Sequence, residues 1–259
     1  MKKLVVFIFL SVLIANGGIC WSQKTKRDKF PSYFGIVASP IIPNNFIGDV
    51  RTNMQDTSGT FHASFNHKVG FTFGAIVRIG VTKTISIETG LSQVRRNYSV
   101  DASVPDSSFS GSQRLAFVNY DLPINGLFYV QLSDKWYMNA AIGFSITHFP
   151  SDSRDTIRFD SKNIVSVEAR RTARTYFAAN AGLGFEYRTD KSGTFYLGGS
   201  AKVPFKDPFY GVGIYSTSSI GDKMVAYSPI SSGYFTLDIR YFFPNIRKSD
   251  EHFNKPLID

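Results

Sequence analysis

The chain has 259 residues, a net charge of +9 and one cysteine, Cys20, which falls in the N-terminal leader. Removal of that leader leaves no disulfide, no thiol nucleophile and no cysteine metal site. No apolar run beyond it approaches the roughly 20 residues of a helical membrane span, so any membrane crossing must be made by strands closed into a barrel.

Lys2 and Lys3 precede the apolar stretch Leu4 to Ala15, and Asn16 to Ser22 follows. This is the layout of a secretory signal peptide over residues 1–22, with Gln23 as the first mature residue. Ile19 stands where a small residue would precede a lipidated cysteine, which argues for an ordinary leader. The basic balance of the exported chain favours contact with anionic lipid or polysaccharide, and no nucleic-acid partner is expected.

Period-two alternation predicts eight strands between residues 30 and 243. The first is short, near Tyr33 to Ser39, and precedes a polar stretch from Pro40 to Asn66. The second, about Lys68 to Gly80, alternates Val69, Phe71, Phe73, Val77 and Ile79 with Gly70, Thr72, Gly74 and Arg78. The third, about Thr84 to Ser99, sends Ile85, Ile87 and Leu91 one way and Ser86, Glu88 and Ser92 the other, making Glu88 a counter-ion for Arg78. A polar loop from Asp101 to Ser112 leads to the fourth strand, about Gln113 to Gln131, where Asn119, Asp121, Pro123 and Asn125 share a face. Pro123 lacks a ladder donor.

The fifth strand is the clearest: Trp136, Met138, Ile142, Phe144 and Ile146 face one way, and Asn139, Gly143, Ser145 and Thr147 the other. Ser151 to Ala169 reads as a loop before the sixth strand, about Arg170 to Arg188, with Arg174 and Glu186 on its polar face. The seventh, about Thr194 to Lys206, turns Lys202 inward, and the last polar loop runs from Asp207 to Pro229. The eighth, about Ser232 to Phe243, turns Asp238 and Arg240 inward, and a polar tail occupies 244–259.

Short turns alternate with long polar connections, which predicts an all-β, eight-stranded antiparallel transmembrane up-and-down β-barrel. Its termini and short turns lie in the periplasm and its long loops outside. The aromatic residues Tyr33, Phe128, Tyr129, Trp136, Tyr187, Phe195, Tyr241 and Phe243 would form the periplasmic girdle. Tyr98, Phe117, Phe149, Phe205 and Phe235 would form the outer one.

The segments Tyr120-Asp-Leu-Pro-Ile124 and Leu237-Asp-Ile-Arg-Tyr-Phe-Phe243 sit on this pattern. With them the chain resembles the PorT-like outer-membrane β-barrel family of Bacteroidetes over about Phe30 to Phe243. The resemblance implies an outer-membrane barrel and, for some members, a part in protein secretion or gliding. The polar tail departs from barrels that end on a final aromatic residue.

Two groups of residues carry candidate chemistry. The inward charges Arg78, Glu88, Asp121, Glu186, Lys202, Asp238 and Arg240, with Arg174, would form a paired plug, since an eight-stranded barrel is just wide enough for side chains to fill it. A narrow conducting path is the alternative. The basic residues Arg95, Arg96, Arg170, Arg171 and Arg174 fall near the outer strand ends, where they would meet lipopolysaccharide phosphates or form a solvated rim.

No cofactor is expected: Gly211-Val-Gly213 lacks the lysine and helix of a phosphate loop. His62 and His67 lack the cluster a metal needs. His148 stands at a strand end with Ser145 on the opposite face, so a girdle role is favoured over catalysis. The sequence therefore reads as a non-enzymatic outer-membrane protein acting through external loops or envelope partners. An accessory secretion subunit, a lipid-modifying enzyme, a narrow pore and a soluble exported barrel are the alternatives.

Overall fold

The computed structural model describes residues 32–189, 191–217 and 223–244. The leader and the tail beyond Pro244 lie outside the described residues. Eight strands close into a ring: β1 (Tyr33–Ile42), β3 (His62–Gly80), β4 (Ile85–Val104), β5 (Phe109–Gln131), β6 (Trp136–His148), β9 (Thr175–Arg188), β10 (Thr194–Pro204) and β13 (Tyr234–Phe242). Every neighbour in the ring is antiparallel, and pairing of β1 with both β13 and β3 leaves no free edge. The architecture is an up-and-down β-barrel.

Three short turns sit at one end, closed by backbone bonds from Val81 to Ile85, Leu132 to Trp136 and Thr189 to Gly193. The four long connections at the other end are not loops, in contrast to their polar appearance. They contain β2 (Arg51–Gln55), the hairpin of β7 (Ser153–Arg158) and β8 (Asn163–Arg171), and the hairpin of β11 (Phe209–Thr217) and β12 (Lys223–Ile230). The two hairpins join in a separate sheet, ordered β12, β11, β8, β7. Opposite it stand β2 and the upper parts of β3, β4 and β5, which run on beyond the barrel. The β4–β5 ladder continues to Val104 opposite Phe109. The two sheets enclose an apolar core that includes Phe61, Phe65, Tyr98, Val100, Leu115, Phe117, Val167 and Phe209. This is a folded cap over the barrel mouth.

The cap escapes a composition-based reading because only one face of each strand is apolar. Val165, Val167 and Ala169 on β8 point in, and Ser166, Glu168 and Arg170 separate them. Asp160 closes the β7–β8 turn by accepting from the Lys162 and Asn163 backbone N–H groups, both at 2.7 Å. The Asn163 side chain and those N–H groups hold the Asp160 carboxyl below the usual carboxylate range. Gly211 and Gly213 on β11 allow the sheets to close, since a Cβ at Gly211 would stand 2.8 Å from the Phe65 ring and one at Gly213 3.0 Å from Phe61.

Side-chain direction is continuous along β4 and β5, but β3 changes phase. Lys68 lies opposite Asn97 and Phe71 opposite Arg95, so one extra residue is accommodated as a β-bulge at Val69–Gly70. Below the bulge even-numbered residues of β3 face inward; above it Ala63 and Phe65 do, continuing the buried Phe61 just before the strand. The bulge lets one strand serve the polar interior of the barrel and the apolar core of the cap.

Candidate functional site

The barrel interior holds its charges in stacked layers. Nearest the short turns, Arg78 is fully buried and donates to Glu88 at 2.7 Å and to Glu186 at 2.5 Å. Arg240 pairs with Glu88 and, at 2.8 Å, with Asp238, while Arg188 reaches Glu186 at 3.0 Å. Three cations thus face three carboxylates. The Arg78 guanidinium also lies 3.9 Å from the Phe242 ring centroid, and Asn139 donates to Glu186 at 2.9 Å. Pairing of this completeness is what permits ions in a low-dielectric interior.

Farther up, Ser39 and Thr236 each donate to Asp238 at 2.8 Å. Lys202 pairs with Asp121 and donates to Thr147 at 2.9 Å. Between the two ionic layers lies a cavity of about 110 Å³, lined in part by Ser92, Asn125, Ser145, Asn180 and Ser200. Such a space holds a few waters. The segments Tyr120–Ile124 and Leu237–Phe243 therefore contribute Asp121, Asp238 and Arg240 to the interior ion pairs.

Arg96 does not join Arg95 on the rim. The alternation that sends Glu88 and Ser92 inward continues unbroken, so Arg96 is buried at the top of the interior, donating to the Tyr176 hydroxyl at 3.1 Å and the Ser232 carbonyl at 3.2 Å. Its guanidinium lies 4.8 Å from the Tyr234 ring centroid. Above it, Phe209 stacks on Phe117 at 4.9 Å and meets Phe149 edge-on, and Phe149 stacks on Tyr176. This aromatic layer covers the interior on the cap side.

The girdle assignments need the same correction. Tyr98, Phe117 and Phe149 are buried in the cap core. Tyr129 is buried beside Arg78, and Tyr33 packs against it and Phe242 inside the barrel. Phe128, Trp136, Phe195 and Phe243 do face outward, joined by Phe34.

The remaining arginines separate. Arg170 and Arg154 both pair with Glu168 at 2.7 Å, and Arg171 reaches Asp152 at 3.3 Å. Arg174 is exposed in the link between β8 and β9 and is not an interior charge. Arg95 is exposed on β4 with Lys68 and Arg114 on its flanking strands. Sequence alone missed Lys68 and Arg114 because they come together only through strand register. It also missed Arg188, which the even-inward parity of β9 would have found.

His148 lies 3.2 Å from the Thr175 hydroxyl, while Ser145 is buried inside the barrel. That arrangement gives His148 no serine to activate. His67 packs edge-on against Tyr98 at 4.4 Å, and burial together with the Arg96 guanidinium pushes its pKa down to about 4. His67 is therefore neutral near pH 7.

No known protein family and no curated protein matches the chain. Among solved structures, the chain is similar to the outer membrane protein OprG from Pseudomonas aeruginosa, with a TM-score of 0.49 and 10% sequence identity over 82% of this chain and 95% of that one.

Proposed function

We propose that this protein is an integral bacterial outer-membrane barrel, exported by its leader, that acts as a closed, non-enzymatic scaffold and presents its cap outside the cell. The observation that carries this reading is the outward face of the barrel. All eight strands contribute to it, with Ile142 and Leu183 each 64% exposed and Leu91 58%. A soluble monomer rarely exposes a contiguous apolar patch beyond a few hundred Å². Along β9 the band runs from Phe177 to Tyr187, about 33 Å of strand and about 25 Å of height at barrel tilt. Among the described residues, no Asp, Glu, Lys or Arg takes an outward position within it.

The paired interior and the aromatic layer above Arg96 favour closure over conduction. Loops on rigid scaffolds are the usual place for binding, and here the connections form a rigid sandwich of their own. Electrophoresis of the outer-membrane fraction tests the reading. Unheated protein should run as a faster band that slows on boiling, and planar bilayers should show no stable conductance steps. A soluble periplasmic protein without a mobility shift would overturn the membrane assignment, and stable steps would overturn closure. An accessory role in secretion or gliding, as in PorT-like barrels, is a second reading carried only by the two sequence segments. Co-purification with a large envelope complex is its test.

A further inference from the structure

The outward faces of β3, β4 and β5 change chemistry in a fixed order along the strands. Leu91 is lowest on β4, Phe71 on β3 stands directly opposite Arg95, and Val69 lies in the bulge just above it, all exposed and apolar. Beside and above them, Arg95 on β4 comes first, Lys68 opposite Asn97 two residues higher, and Arg114 opposite Ser99 two residues higher again. Strand spacing and rise make these three cations span about 15 Å. All three are exposed, and among the described residues none has a carboxylate partner, whereas Arg170 and Arg171 are neutralised by Glu168 and Asp152.

An open groove of about 1120 Å³ runs past Lys68, Arg95 and Arg114. A second, of about 520 Å³, meets it at Ser112 and continues up the face past Ser64, Asp101, Ser103 and Ser110. Apolar surface, then cations, then hydroxyls and amides is the order of acyl chain, phosphate and sugar in a phosphorylated glycolipid standing in the outer leaflet.

We propose that this face binds such a glycolipid, with its acyl chains against Val69, Phe71 and Leu91, its phosphates on Lys68, Arg95 and Arg114, and its saccharide along the serine-lined groove. Arg95 and Arg114 offer bidentate donors to phosphate, and Lys68 a point charge. The site rests on the membrane reading above. It commits to a membrane lipid, because the cations sit directly on the apolar band.

The test uses the full barrel in phosphatidylcholine nanodiscs doped with bisphosphorylated lipid A, with its dephosphorylated form, or with phosphatidylglycerol, and measures lipid retained per protein after detergent extraction. Wild type should retain bisphosphorylated lipid A about tenfold over either comparison lipid. The triple variant Lys68→Gln, Arg95→Gln, Arg114→Gln should lose tenfold to a hundredfold, on the order of one cationic contact per residue. Arg174→Gln with Lys206→Gln, exposed cations across the barrel, should change retention less than about twofold.

Equal retention by the triple variant, equal loss in the control, or equal retention of phosphatidylglycerol would overturn the site. Displacement by free glucosamine phosphate would replace the lipid with a soluble sugar phosphate and overturn it too. Heat-dependent mobility of every variant separates the two claims. Lost retention in a shifting barrel concerns the site, and absence of a shift in wild type concerns the membrane reading itself.

Discussion

Along β4, Ile87 and Leu91 face outward below Ser92, and Arg95, Asn97 and Ser99 face outward above it. On its inner side Glu88 and Ser92 give way to Val94, Tyr98, Val100 and Ala102. The strand changes neither direction nor parity. What changes is the solvent against its outer face, and with it the chemistry that each face can carry. The barrel and the cap thus share strands and register yet are inverted in polarity. Arg96 marks the seam, a charge with the aromatic cap layer above it and the polar barrel below.

The barrel is most sensitive to substitution where its charges are paired. Arg78→Ala leaves Glu88 and Glu186 facing each other in the interior, with an expected loss of about 3 to 5 kcal/mol. The check is the urea midpoint for folding into lipid vesicles, read by the heat-dependent band. A cap substitution of similar local cost should behave differently. Phe209→Ala opens a cavity among Phe117, Phe149 and Arg96 and should cost about 3 kcal/mol, but chiefly in the cap. Limited proteolysis should cut the β7–β8 and β11–β12 hairpins while the barrel still shifts on boiling. Loss of both together would mean that the two regions fold as one unit.

A matched pair of arginines sharpens the contrast. Leu183→Arg, facing outward on the barrel, should cost about 2 to 4 kcal/mol, as a cation does near a bilayer midplane. Ser103→Arg, facing outward on the cap, should change stability by less than about 0.5 kcal/mol. Similar values from the two unfolding midpoints would place both faces in one solvent.

The cap should also show a pH dependence through His67. Its folded pKa, about 4, lies below the ordinary histidine value of 6.5, so the unfolded state binds more protons between them. Stability contributed by the neutral ring is complete above about pH 6.5, falls as pH drops toward 4 and then levels. Protease resistance of the cap should decline over that window by about 3 kcal/mol, and His67→Gln should remove this component. A decline unchanged in the variant would assign it to other groups.

How much of this was legible in sequence depends on whether the feature is local. The barrel strands could be read because large apolar residues recur at every second position, as from Trp136 to Ile146, where only Ala140 breaks the series. The ionic layers followed from parity once each strand was placed. Arg96 and Tyr129 were misassigned only where height along a strand was allowed to outweigh parity. The cap was illegible because a water-facing sandwich needs only small or β-branched residues inward, and Val165, Val167 and Ala169 between polar neighbours look like any loop.

The sequence alone determined the eight strands of the barrel, their alternation and the inward placement of Arg78, Glu88, Asp121, Glu186, Lys202, Asp238 and Arg240, because a two-residue period is a property of a single strand. Only the tertiary structure decided that four polar connections fold into a second core, that a bulge at Val69–Gly70 switches β3 from one region to the other, and that Lys68, Arg95 and Arg114 share a groove. Those features depend on register between strands, which one strand's pattern does not encode.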